Sequence, residues 1–177
     1  MENKEFITAL LRQGNVTDEI RKNLDPLLQA IPEIQAMVGF AHCHPHHHLD
    51  VWEHTLLALS HSEKRILTRV ALLLHDIGKP FCYQCDGEIK HYHGHAEKSE
   101  EIARRLLSRL NFDASFVNAA CALIRKHDTP MTRDGILKNP DFARDLFEIQ
   151  RCDALAHNPI YNQKRMEYLE RIKGFFD

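Results

Sequence analysis

The stretch ALLLHDIGKP, residues 71–80, ends the most apolar segment of the chain with an adjacent histidine and aspartate. A carboxylate withdrawn from water without a partner costs several kcal/mol or changes its protonation state. His75 and Asp76 therefore need something to bind. Residues 66–76 are hydrophobic nearly all round, the pattern of a central helix packed on every side, and Gly78 followed by Pro80 supplies its stop. The His-Asp pair thus falls at the C-terminal end of that helix, where the backbone dipole favours a cation.

Outward from this segment the chain reads as helices. Upstream, residues 50–61 place Val51, His54, Leu57, Ala58 and His61 on one face, so His54 belongs to an inward stripe. Residues 5–39 read as two or three short helices, broken at Gly14-Asn15 and bent near Pro26 and Pro32. Downstream, Asp86-Gly87 between short alternating segments predicts a small hairpin near 82–93. A helix over 96–110 follows, with His95 at its entry. The next, over 114–127, carries Phe116, Val117, Ala120 and Ile124 on a stripe that ends at His127. Over 141–157 the stripe is Phe142, Leu146, Ile149 and Asp153, so a carboxylate holds a core-facing position. A last amphipathic helix covers 161–175. The fold class expected is all-α.

The 177 residues suit one well-buried domain, and no linker or internal repeat divides them. The expected parts are N-terminal helices over 1–40, a core over 41–157 and a C-terminal helix over 158–177. The start has no export signal and the longest apolar run, Val70 to Leu74, is too short to span a bilayer; a cytoplasmic protein with no membrane partner is expected. Five cysteines then read as reduced thiols, and Cys82 and Cys85 form a lone CxxC, a weak zinc signal without a second pair. A formal net charge of −2 argues against a surface built to wrap nucleic acid. Histidine is the outlier, with 13 copies, five of them within residues 42–48. No exposed apolar stripe marks a subunit interface, so the oligomeric state is left open.

His54, His75 with Asp76, His127 and Asp153 each sit on, or at the end of, an otherwise apolar helix face. A single such residue is usually a satisfied core group. Their convergence in a helical core fits a divalent metal better. His54, His75, Asp76 and Asp153 form the expected first set, leaving open positions on an octahedral ion. His95 and His127 are the candidates for a second ion, with Asp76 bridging the two. The donor set accepts manganese, iron, cobalt, nickel or zinc, with magnesium also in range.

This pattern of a histidine, an adjacent His-Asp pair and a distant aspartate resembles the HD-domain metal-dependent phosphohydrolases. Within that superfamily, HLDVWEHTLLAL, ALLLHDIGKP, HYHGHAEKSEEIARRLL and LIRKHD look most like the HD domain attached to bacterial CCA-adding tRNA nucleotidyltransferases, over about residues 32–157. Residues 1–40 show neither the Gly-Ser loop nor the paired aspartates of a nucleotidyltransferase head, so the expectation is a free-standing HD domain that does not add CCA. The resemblance implies a helical bundle around the metal, and it carries a second ion to His95 and His127. It also puts His47, at the "PxHxL" position, at the pocket mouth. His42, His44, His46 and His48 are expected in a solvated loop.

The expected activity is hydrolysis of a nucleotide or phosphodiester by a metal-activated water, with Asp76 and Lys79 as catalytic residues and a small-molecule substrate as partner. Lys79 is a candidate phosphate ligand, its bland alternative being to cap the helix end. Arg125 is a further candidate for substrate binding. The competing expectation is a metal-containing module that binds RNA or a nucleotide without turnover.

Overall fold

The computed structural model describes residues 2–176. Its elements in chain order are α1 (Asn3–Leu11), α2 (Val16–Lys22), α3 (Leu24–Ala30), α4 (Val51–Ser60), α5 (Ile66–Leu74), β1 (Gln84–Asp86), β2 (Ile89–His91), α6 (His95–Arg109), α7 (Ala114–Lys126), α8 (Arg133–Lys138), α9 (Pro140–Ala156) and α10 (Gln163–Lys173). Single 3-10 turns cover Pro32–Ala36, Lys79–Phe81 and Pro159–Tyr161. The expected all-α bundle is therefore present. Strands β1 and β2 form an antiparallel hairpin, with Asp86 opposite Ile89 and Gly87 taking a φ of +60°, which its missing Cβ allows.

Helix α5 is the axis of the bundle. Every residue from Thr68 to Leu74 is buried, and α1, α4, α7 and α9 pack around it. Arg69 is the charged exception inside this run. Its guanidinium donates to the Leu11 carbonyl at 2.6 Å and the Gln13 carbonyl at 2.7 Å, so a cation on α5 satisfies the C-terminal end of α1. One apolar cluster runs from Ile7 on α1 to Ala156 on α9. A satellite of Ile136, Ala143 and Ile172 lies beneath α8 and α10. Among the described residues, no helix is long and apolar enough to cross a membrane.

Two local expectations change. Helix α5 stops at Leu74, and His75 to Gly78 form a turn in which the Lys79 N–H donates to the Asp76 carbonyl at 3.0 Å. Gly78 is not a left-handed cap, since its φ is −81°. A Cβ there would stand 2.6 Å from the Ser99 nitrogen and 2.7 Å from the His95 carbonyl oxygen, so glycine is needed for the close approach of α6. The short helix α8 has no counterpart in the sequence reading, because its six residues RDGILK contain a glycine and span too little for a period to show.

Candidate metal centre

Helix ends deliver the candidate ligands. Asp50 caps α4 by accepting from the Glu53 N–H at 2.8 Å, which fixes the first turn and turns His54 inward. His75 and Asp76 leave the end of α5, His95 opens α6, His127 ends α7, and Asp153 lies on the buried face of α9. His54, His75, Asp76, His127 and Asp153 are at most 3% exposed.

The imidazoles are oriented alike. Nδ1 lies 3.2 Å from the Ala156 carbonyl oxygen in His54, 2.6 Å from that of Leu72 in His75, 2.9 Å from that of Tyr92 in His95 and 2.7 Å from that of Ile124 in His127. A carbonyl can only accept, so each Nδ1 carries a proton, and each ring, once neutral, would present the Nε2 lone pair to the centre. Oδ2 of Asp76 is 3.7 Å from His54 Nε2 and 3.4 Å from His75 Nε2, while Oδ1 is 3.6 Å from His95 Nε2 and 3.8 Å from His127 Nε2. Asp153 Oδ1 joins the first pair, 2.9 Å from His54 Nε2 and 3.6 Å from His75 Nε2.

These atoms are short of partners in a way that a cation answers. Both Asp76 oxygens and His75 Nε2 are buried without a hydrogen bond. Lys79 Nζ lies 2.7 Å from Asp76 Oδ2, an ion pair without hydrogen-bond alignment. His95 Nε2 and His127 Nε2 face each other at 3.1 Å, an arrangement of two lone pairs that needs a proton or a metal between them. Burial opposes charging His75, yet the carboxylates of Asp76 and Asp153 outweigh it and push its pKa up to about 9. Burial likewise opposes charge on Asp76, but His75 and Lys79 hold its carboxyl well below the usual range. His54, His75 and Asp76 form one group whose ligand atoms all lie within 4.8 Å of one another, and Asp76, His95 and His127 form a second. The residues therefore fit one or two divalent ions of the kind imidazole and carboxylate hold.

A cavity of about 470 Å³ opens onto both groups. His47 lines it, stacked on His42 at 3.8 Å between ring centres, and Lys79 lines it too. Lys79 does not cap α5; its Nζ is drawn inward to Asp76 and stands 3.2 Å from His42 Nε2. His42 itself is only 1% exposed, donating Nδ1–H to the Leu49 carbonyl at 2.8 Å, so it belongs to the site wall and not to a solvated loop. His46 and His48 are exposed as expected, and His44 is half-buried at the cavity rim.

Arg125 is not a substrate ligand of this cavity. It lies on the outer face of α7, 3.2 Å from Glu97 and 3.7 Å from Glu100. Two residues along a helix turn roughly 200°, so a helix that aims His127 inward aims Arg125 outward. Cys82 and Cys85 join neither metal-competent group; the Cys82 thiol is directed at the Gly78 carbonyl at 3.3 Å, and Cys85 is exposed on β1.

Three residues enter that periodicity did not single out. Asp128, next to His127, places Oδ2 3.0 Å from His95 Nε2. Arg165 reaches from α10 to Asp153 Oδ2 at 2.5 Å. His157 lines the cavity with its pKa lowered to about 4, chiefly by burial. The only sequence signal was adjacency, of Asp128 to the end of one inward stripe and of His157 to the end of another.

A helical bundle whose core gathers an adjacent His-Asp pair, further histidines and a distant aspartate defines the HD domain, and the chain belongs to that family, matching it over residues 46–160. The chain is 35% identical over 139 residues to the CC-adding tRNA nucleotidyltransferase of Thermus thermophilus, covering 71% of this chain and 32% of that protein. It is 33% identical over 173 residues to the A-adding tRNA nucleotidyltransferase of Deinococcus radiodurans, covering 86% of this chain and 38% of the other. It is also 30% identical over 186 residues to a bifunctional uridylyltransferase/uridylyl-removing enzyme of Cereibacter sphaeroides, covering 87% of this chain and 19% of that protein. The chain thus spans about a third of the first two relatives' length.

Proposed function

We propose that the protein is a metal-dependent phosphohydrolase acting on a nucleotide or a phosphodiester. The observation that carries the reading is the Asp76 carboxylate, buried, without a hydrogen-bond donor, and turned by one oxygen toward His54 and His75 and by the other toward His95 and His127. A carboxylate so placed suits two adjacent cations.

Divalent ions held by these side chains would supply Lewis-acid stabilisation of the phosphoryl oxygens and a water acidic enough to attack near neutral pH. The chain's own groups do the rest. Asp153 and Asp76 would hold the first ion with His54 and His75. Lys79 offers its ammonium to a phosphate oxygen as a point charge from the cavity wall. Lys164, which has no ion-pair partner among the described residues, lines the same cavity and adds charge for an anionic substrate. His47 and His157 line it as neutral imidazoles, both kept uncharged chiefly by burial. A relative named in part for removing uridylyl groups shares this domain, which favours a phosphodiester.

The test is a panel of 2',3'-cyclic nucleotides, nucleoside monophosphates, dinucleoside polyphosphates and an aryl phosphodiester, assayed with manganese, iron, cobalt, nickel or zinc. Metal-dependent turnover that disappears in Asp76→Ala, with helicity retained by circular dichroism, supports hydrolysis. The second reading, a metal-holding module that binds RNA or a nucleotide without turnover, draws on the tRNA enzymes among the relatives. Tight, specific RNA binding with no turnover of any substrate would favour it, and the net charge of −2 counts against it.

A further inference from the structure

We propose that Arg165 is a positioning residue that ties the two ion sites together, and that Asp128 is a ligand of the second. The inference rests on the metal reading above, but not on the reaction assigned to it. Asp128 puts Oδ2 3.0 Å from His95 Nε2 and 3.6 Å from His127 Nε2. With Asp128 the second site holds two imidazoles and two carboxylates, matching His54, His75, Asp76 and Asp153 in the first.

Arg165 then stands between the outer carboxylates of the two sets. One arm of its guanidinium, Nη2, donates to Asp153 Oδ2 at 2.5 Å, while Asp153 Oδ1 faces His54 and His75. The other, Nη1, donates to Asp128 Oδ1 at 3.5 Å, while Asp128 Oδ2 faces His95 and His127. In each carboxylate the oxygen away from the imidazoles is held by arginine and the other is aimed at the candidate ion. That is how a ligating carboxylate is oriented from outside a metal site. A planar fork can hold two carboxylates at once, which a lysine ammonium on a flexible stem does less well. Arg165 lies on α10, beyond residue 160 where the family match ends, so this tie is contributed by the C-terminal helix of this chain.

The inference is tested by titrating manganese into the metal-free full chain by calorimetry, with bound ions per chain counted by elemental analysis. Arg165→Ala should weaken both ions by about 10- to 100-fold, while Asp128→Asn weakens one and leaves the other. Arg165→Lys, able to keep one carboxylate at a time, should restore one site and not both. Alanine binding both ions as tightly as wild type, or more tightly, overturns the proposal, because arginine would then merely compete with the metal for the carboxylates. Loss confined to one site in Arg165→Ala overturns the tie. If the alanine variant does not fold, the lysine variant decides: one weakened site supports the proposal and two unchanged sites overturn it. Wild type that binds manganese without hydrolysing any phosphate ester defeats the hydrolase reading and leaves this measurement intact.

Discussion

The Gly78 N–H donates to Ser99 Oγ at 2.9 Å, and this contact presses the turn after α5 against the first turns of α6. It explains why a serine lies fully buried on the apolar face of α6, and it sets the distance of 3.6 Å between Asp76 Oδ1 and His95 Nε2. A methyl group at residue 78 would meet the Ser99 nitrogen and the His95 carbonyl oxygen, backbone atoms that cannot turn aside. Overpacking of this kind costs about 1–3 kcal/mol. Gly78→Ala should therefore melt several degrees lower and lose the ion held through His95 and His127 before the other. An alanine variant with wild-type melting and full metal content would show that α6 yields freely.

Asp76→Asn keeps the shape of the side chain and removes its charge. The change also breaks the buried ion pair with Lys79, 2.7 Å from Oδ2, which lowers the stability of the metal-free fold, while each ion loses an anionic ligand. A ligand that binds only the native state raises stability by about 1.4 kcal/mol for each tenfold excess over its Kd. Wild type should accordingly melt higher with manganese than without, and Asp76→Asn should melt below metal-free wild type and show no such rise. Equal stabilisation of both proteins by metal would remove Asp76 from the centre.

The helical faces made much of this legible in the sequence. The inward positions of His54, His127 and Asp153 follow from a period of about 3.6 applied to otherwise apolar stripes, and the structure brings all three to the same centre. Arg165 was not legible, because its partners Asp128 and Asp153 are contributed by other segments and no stripe on α10 marks it. His42 was misread for a related reason. A run of histidines in a loop carries no period, and only the fold shows that the Leu49 carbonyl and Lys79 draw this one inward.

Lys79 faces two demands that a variant can separate. Its Nζ is 2.7 Å from Asp76 Oδ2, so it competes with a cation for that oxygen, and it lines the cavity where a phosphate would enter. Lys79→Met keeps most of the stem and removes the charge. Metal should then bind more tightly, while turnover of a phosphodiester falls by roughly 10²-fold, as expected for loss of one preorganised charge at a reacting oxyanion. Weaker metal binding in the methionine variant would instead mean that Lys79 holds Asp76 in place for the ion.

The helix that carries His54 is also anchored from outside, by a pair whose effect depends on pH. Arg21 on α2 donates Nη1 to Glu53 Oε1 at 2.9 Å and Nη2 to Glu53 Oε2 at 2.5 Å. The hydrogen bond from Arg21 lowers the Glu53 pKa below its ordinary value of 4.5, against a smaller opposing effect of burial. A carboxyl whose folded pKa is lowered stabilises the fold above the unfolded value and loses that contribution as pH falls through the folded value. Both side chains are more than a third exposed, so solvent screening limits the gain to a few tenths of a kcal/mol, about 0.5 at most. Glu53→Gln should therefore show a slightly lower urea midpoint than wild type at pH 7, and the two midpoints should converge as pH falls below 4.5 and through the lowered folded value, where Glu53 takes up its proton. A difference that persists unchanged at pH 3 would mean that the glutamine perturbs α4 by packing and not through the lost charge.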